Sequence, residues 1–280
     1  MNSTRSVHRR NEPEPEQGKR SEQIRQALSK VGERVSNGMS VPDACREVGI
    51  TKPTYYRWRR NTLPARPALT SETAQHVLNV AESLCAEHGL EVSMREIARA
   101  AEVSNATLSY HFESRNDLLY QICARRVDQL DSERYRLLDV AEERSKPPQL
   151  EDVIAAFFLP GLKATASTDP AFASYMRFLG RIAQDPAEEM QAIMARCYGN
   201  LHKRFMFAFS RALPDQSLEE VYWRYTAFTG VFVTMAQNPN RINRISTGLV
   251  NMTDPETAME KLMPILVPMM RGPDVAGPAS

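Results

Sequence analysis

Apolar residues recur at three-to-four spacing from Ser21 almost to the C-terminal end, and no sustained period-two alternation interrupts them. Only helices bury one face continuously with such a pattern, so an all-α fold is expected. Residues 75–87 carry Val77, Leu78, Val80, Ala81 and Leu84 on one stripe, and residues 188–213 carry Met190, Ile193, Met194, Cys197, Tyr198, Leu201, Phe205, Phe209 and Ala212. The segment "YTAFTGVFVTMA", 225–236, is apolar nearly all round, which suits a helix covered on two sides, as at a subunit interface.

Charge divides the chain. The 280 residues have a formal net charge of +1, yet residues 1–70 hold 14 Lys and Arg against 7 Asp and Glu, leaving 21 against 27 for the other 210. A basic head on an acidic body points to a polyanion, either nucleic acid or an anionic membrane surface. Cys45, Cys85, Cys123 and Cys197 form no Cys-x-x-Cys pair and have no His at metal-ligand spacing, so they read as reduced core thiols of a cytoplasmic protein. The first residues lack an apolar h-region, and no apolar run approaches the roughly 18 to 20 residues of a spanning helix, so neither secretion nor membrane insertion is expected.

Residues 1–20 are polar, with Glu and Pro alternating at 12–16, and are expected to be a disordered arm. From Ser21 a short helix is marked by Ile24, Leu28, Val31 and Val35, and "NGMS" ends it. Then "SVPDACREVGITKPTYYRWRR" has helix-turn-helix spacing. Ser40 caps one helix, Ala44, Cys45 and Val48 point inward, Gly49 permits a left-handed turn, and Thr51 caps the next helix. That second helix keeps Tyr55 and Trp58 inside and turns Lys52, Thr54, Tyr56, Arg57, Arg59 and Arg60 outward, where cations meet phosphates and polar tips meet base edges. The module occupies 21–61, and "NTLPARPALT" marks a linker over 62–70.

Shifting the sequence by 53 residues exposes a second copy, "SMREIARAAEVSNATLSYHF", 93–112. Ser40 falls on Ser93, Ala44 and Cys45 on Ile97 and Ala98, Val48 on Ala101, Ile50 on Val103, Thr51 on Ser104 and Thr54 on Thr107. One registration serves both inner faces and both caps, which makes a chance helical hairpin a poor explanation.

The second copy in its context, "HVLNVAESLCAEHGLEVSMREIARAAEVSNATLSYHFESRNDLL", resembles the DNA-binding domain of TetR-family transcriptional regulators. The glycine ending the first helix is Gly89, the aromatic-His-Phe triplet is Tyr110, His111 and Phe112, and Ser114 with Arg115 stands for the usual Ser-Lys pair. The resemblance implies that Ser104, Asn105, Ala106, Thr107, Ser109 and Tyr110 face the major groove, with Asn105 the base reader, and that His111 and Arg115 touch the backbone. Two positions depart from the pattern: Glu102 stands where the turn often has Gly, and Ser109 where many members have Tyr. Residues 71–120 carry 3 Lys and Arg against 8 Asp and Glu, so the basic head is expected to supply the phosphate neutralisation that this unit lacks. The first copy itself resembles the helix-turn-helix of insertion-sequence transposases.

The C-terminal half resembles TetR ligand-binding domains, and "YMRFLGRIAQDP" with "EEVYWRYTAFTGVFVTMA" is most similar to members of the PsrA kind, a subgroup associated with fatty-acyl effectors. What this implies is a pocket lined by Phe157, Phe158, Met176, Phe178, Tyr198, Phe205 and Met206, with Arg177, Arg181 or His202 for an acidic head group. It also implies a homodimer paired through 217–237 and 255–270, the second segment kinked or cut short by Pro264 and Pro268. The boundaries expected are 71–120 for the DNA-binding domain, 121–272 for the ligand-binding and dimerisation domain, and 273–280 for a disordered tail.

The reading is a cytoplasmic, homodimeric, ligand-responsive repressor that binds double-stranded DNA and a small hydrophobic effector, and needs no cofactor and no metal. A DNA-processing protein of the transposase or recombinase class is the alternative, opposed by the want of a strand-borne carboxylate cluster. An enzyme in the helical half is opposed by the lack of a Gly-rich phosphate loop, a Gly-x-Ser-x-Gly or a paired carboxylate and His arrangement.

Overall fold

The computed structural model describes residues 15–36, 39–55, 71–238, 240–250 and 254–272, and regular structure among them is entirely helical. The chain divides into two compact units, Met1–Asn61 and Thr62–Ser280. Expectations for 1–14, for Tyr56 to Arg60, for the linker and for the tail after Gly272 lie outside the described residues.

In the first unit, α1 (Pro15–Ser36) and α2 (Val41–Val48) are followed by helical residues 52–55. Helix α1 starts six residues ahead of Ser21, which corrects the arm expected through residue 20. Pro15 presets the backbone of a first helical residue and lacks only an N–H that no helix would use, while the Glu, Gln, Lys and Arg that follow are good helix formers. Leu28 and Val31 of α1 close over Val41, Ala44, Cys45 and Tyr55, with Val35, Met39, Val48 and Ile50 packed against them. Ile24, one turn earlier, is exposed, so this core begins at Leu28.

The second unit runs α3 (Glu72–His88), α4 (Met94–Ala100), α5 (Asn105–His111), α6 (Arg115–Arg144), α7 (Leu150–Thr165), α8 (Pro170–Gln184), α9 (Glu188–Ala212), α10 (Leu218–Gln237), α11 (Arg241–Ile245) and α12 (Pro255–Arg271). Ser71, Ser93, Ser104, Ser114, Asp169, Ser217 and Asp254 each accept a backbone N–H at a helix start, a device that stabilises by about 1 kcal/mol apiece. Helices α3 to α5 form a small head. The 30 residues of α6 carry the chain from that head into the remaining helices, where α6 packs on α7 and α9. Helix α3 in turn packs on α8, so the head is held at two places.

Aromatic rings fill the centre. Phe157 lies 5.1 Å from the Phe205 ring and 5.4 Å from that of Phe232, both edge-on, and Phe158 lies 4.8 Å from Phe228. Edge-to-face geometry adds to the hydrophobic gain of burying these rings. Helix α12 continues through Pro264 and Pro268 to Arg271, which corrects the expected early end. Both prolines and Glu260 lie on the exposed side, so the carbonyls deprived of an N–H partner face water. At its end Gln216 donates to the Met270 carbonyl at 3.3 Å and Arg224 to the Met269 carbonyl at 3.2 Å.

Candidate nucleic-acid interface and ligand cavity

The two helix-turn-helix copies match hydrogen bond for hydrogen bond. Asp43 N–H donates to Ser40 Oγ at 3.1 Å, and Glu96 N–H to Ser93 Oγ at 3.2 Å. The turns close with Ile50 N–H on the Cys45 carbonyl and Val103 N–H on the Ala98 carbonyl, each at 3.0 Å. The second helices open with paired hydroxyls, Thr51 with Thr54 at 2.7 Å and Ser104 with Thr107 at 2.8 Å. Tyr55, with 3% exposure, and Leu108, with 1%, hold these helices to their cores from equivalent positions. At the turn Gly49 has φ 74° and its counterpart Glu102 has φ 54°. A left-handed backbone costs a non-glycine residue about 1 kcal/mol, so the departure noted at Glu102 is a strained choice that also sets a carboxylate beside α5.

On α5, Ser104, Asn105, Ala106, Ser109 and Tyr110 are exposed, Tyr110 to 85%, while Thr107 is half-buried. His111 is half-buried with its ring 5.1 Å from that of Tyr110. Arg115 is differently occupied: its Nη2 donates to the Leu90 carbonyl and lies 3.7 Å from the Glu91 carboxylate, tying the start of α6 to the loop after α3. Two cations escaped the sequence reading. Arg95 and Arg99, one turn apart on α4, are exposed and line the same hollow as Ser104 and Asn105. Besides Glu91, three more of the acids in 71–120 are engaged within the fold. Glu82 is buried against Arg125 at 2.6 Å and Arg126 at 3.4 Å, Glu96 completes a capping box with Ser93, and Asp117 accepts from Glu113 N–H at 3.2 Å. In the first unit Lys52 and Thr54 are half-buried, and Thr54 N–H donates to Thr51 Oγ1 at 3.4 Å.

Helices α6 to α10 enclose a cavity of about 320 Å³ whose outer wall includes the exposed Gln191 and Ala195. Of the expected pocket residues, Phe157, Tyr198 and His202 line it. Phe158, Met176, Phe178, Phe205 and Met206 are buried outside its lining, because their helical phase turns them into the surrounding packing. Arg177 donates to Ser174 Oγ at 2.9 Å, and Arg181 donates to the carbonyls of Ala86 at 3.1 Å and Glu87 at 3.2 Å, at the C-terminal end of α3. Neither arginine lines the cavity; the guanidinium that does is Arg134, on α6. One arginine among the six of α6 gave no sequence signal, since its burial depends on rings contributed by α7 and α10.

Tyr198 bonds hydroxyl to hydroxyl with Tyr175, and burial raises both phenols well above their ordinary pKa. His202 Nδ1 lies 2.7 Å from the Tyr225 hydroxyl. Burial, then the Arg134 charge, lowers the His202 pKa from 6.5 to about 4. Because the folded pKa lies below the unfolded one, the unfolded chain binds the extra proton, and the stability present above pH 6.5 is lost as pH falls toward 4. Between pH 7 and 5 this group alone is expected to remove about 2 kcal/mol of stability. Urea unfolding of the native protein and of His202→Gln at both pH values tests this: the variant should lose much less than the native chain, and parallel losses would contradict it.

The sequence model for bacterial regulatory proteins of the tetR family matches residues 77–122, and that for the tetracyclin repressor-like C-terminal domain matches residues 155–268. The chain belongs to the TetR family. This TetR-family protein carries one addition, since residues 19–63 match a homeodomain-like domain. Among solved structures, a TetR-family transcriptional regulator from Bordetella parapertussis aligns with TM-score 0.51 at 18% identity, covering 70% of this chain and 95% of its own. The TetR-family regulator PfmR from Thermus thermophilus aligns with TM-score 0.49 at 17% identity, covering 73% and 98%. No curated protein matches the sequence. The protein is thus a transcriptional regulator with DNA-binding and ligand-binding domains. No helix among the described residues is long and apolar enough to cross a membrane.

Proposed function

We propose that this regulator is a homodimeric repressor, released from DNA by a small hydrophobic effector held in the cavity, and that both helix-turn-helix units of each subunit touch DNA. The observation that carries the reading is the capped helix α5, which presents Asn105 and Tyr110 outward at one end of a path that leads through α6 to the cavity. In this reading Asn105 reads a base edge through its amide, Tyr110, Ser109 and Ala106 complete the groove face, and Ser104 and Thr107 hold the helix start. Arg95 and Arg99 neutralise phosphates beside it, with His111 at the rim. In the first unit Lys52, Thr54, Tyr56, Arg57, Arg59 and Arg60, which the helix-turn-helix spacing of the sequence assigns to the outer side, grip the backbone in this reading and lengthen the site.

Arg115 begins α6 and Arg134 lines the cavity 19 residues later, about 28 Å along the helix axis. Leu179 and Ala183 of α8 flank the Arg181 that holds the end of α3. An effector that binds best with α6 or α8 displaced favours a separation of the two heads that no longer matches the half-sites.

The test is fluorescence anisotropy with DNA from upstream of the protein's own gene, or a site found by selection, over a salt series. The full chain should bind specifically, and a form lacking residues 1–66 should bind more weakly with a shallower dependence of log affinity on log salt. Equal slopes for both forms would remove DNA from the role of the first unit. Failure of the full chain to prefer any selected sequence would sink the repressor reading itself.

A further inference from the structure

Arg134 is 1% exposed, and it is the strongest charge on the cavity wall. Its Nε donates to the Phe157 carbonyl at 3.0 Å, and its Nη1 stands 3.6 Å from the Asp131 carboxylate. The guanidinium lies over the rings of Phe157, at 4.6 Å, and Phe232, at 4.9 Å, which meet each other edge-on. Gly161 permits this arrangement, because a Cβ there would fall 2.2 Å from the Phe232 ring. Nη2 is buried with no hydrogen-bond partner among the described residues. A buried cationic donor left unsatisfied costs several kcal/mol, which a bound acceptor would offset.

The rest of the wall indicates which acceptor. The Tyr198 hydroxyl is taken by Tyr175, and the Thr229 hydroxyl gives its hydrogen to backbone carbonyls of its own helix. The Tyr225 phenol, held protonated by burial, and His202 Nδ1 are occupied with one another, and the His202 ring is neutral. Arg134 is the charged group on this wall, and an anionic acceptor meets both its charge and its spare donor, whereas an alcohol or an amide meets the donor alone. The Arg134 field that depresses protonation of His202 is the same field that attracts an anion. Apolar walls of Leu179, Met194, Leu201 and Val233 surround this polar end. At roughly 30 Å³ per water-sized group, 320 Å³ holds about ten such groups.

We propose that the cavity selects a compact monocarboxylic acid, of about ten non-hydrogen atoms in all, whose carboxylate accepts from Arg134 Nη2. This rests on the reading of the cavity as the effector site and names the effector's chemical class.

The experiment is titration calorimetry of the full chain with octanoate and 2-naphthoate, each beside its neutral amide, octanamide and 2-naphthamide. The acids should bind one per chain and about tenfold or more tighter than their amides. Arg134→Gln should bring acid affinity down to that of the amide, and Ala183→Trp, which fills the cavity from α8, should block both. If Arg134→Gln does not fold, the ratio of acid to amide in the native chain decides alone. Amides binding as tightly as acids, with Ala183→Trp still blocking them, would overturn the acid class while leaving the cavity a ligand site. Binding that Ala183→Trp does not touch, or no binding by any of the four probes, would overturn the proposal. Release of DNA by another ligand, itself blocked by Ala183→Trp, would then show that the effector reading survives without it.

Discussion

Trp223→Asp is expected to leave each subunit folded and to lower DNA affinity at least a hundredfold, because in the proposed homodimer it removes the partner subunit. Helix α10 buries Tyr225, Phe228, Phe232 and Ala236 in its own subunit. Its opposite face exposes Tyr222, Trp223, Thr226, Ala227 and Gly230, a stripe of two large rings beside small residues that admits a second helix closely. Trp223 is 72% exposed, Leu218 and Tyr222 52%, and Ile265 on α12 61%. Large apolar side chains gathered on one side of a subunit mark an interaction surface. A charge at an exposed position changes subunit stability by less than about 0.5 kcal/mol, whereas the same charge buried at the centre of a dimer costs several kcal/mol. Two heads joined in one dimer bind their half-sites with a large effective concentration, and separate subunits lose that gain. Light scattering should give twice the chain mass for the native protein and the chain mass for the variant, with an unchanged urea midpoint for the variant when dilute. A native protein that already has the mass of one chain would refute the homodimer.

Local physics that repeats along the chain is legible in the sequence. The 53-residue registration located both caps, both turns and both inner faces, because a serine or threonine hydroxyl at a helix start and a buried apolar pair need only short-range sequence to specify them. The helix limit at Leu218, capped by Ser217, fell within a residue of its expected start for the same reason, and that at Glu188, which has no side-chain cap, matched through its apolar stripe. What depended on distant partners was not legible. Phe158, Phe178 and Phe205 look as suitable for a pocket as Phe157, and only the packing of α7 against α9 and α10 separates lining from filling. Arg181 could not be placed, since its partners are carbonyls 94 and 95 residues away. Pro264 and Pro268 read as breakers because sequence alone does not tell which carbonyls face water.

Arg204→Met should cost about 3 to 5 kcal/mol of unfolding free energy, the largest loss expected of any single substitution considered. Arg204 is 3% exposed on α9, and Nη1 donates to Glu142 of α6 at 2.6 Å while Nη2 holds the other oxygen of the same carboxylate. Asp139, one turn earlier, lies 3.6 Å away, and the part-exposed Arg211 is a second partner of Glu142. Methionine fills similar space with a flexible apolar chain, so what the variant removes is the charge rather than the volume. Glu142, buried, would then keep only the part-exposed Arg211 of its two described ion-pair partners, and the buried Asp139 would lose the Arg204 charge 3.6 Å away, so negative charge is left less compensated at low dielectric. Urea unfolding at neutral pH measures the cost, and Arg204→Met combined with Glu142→Met should recover much of it by removing the buried carboxylate with its partner. If the double variant were as unstable as the sum of both single ones, the network would not be acting as a unit. The location gives the loss a functional meaning, because this network fixes the C-terminal half of α6 to α9, against which any movement of Arg134 must be exerted. A loosened anchor should let the effector bind while moving the heads less, so in Arg204→Met the effector's thermal stabilisation should persist and its release of DNA should weaken.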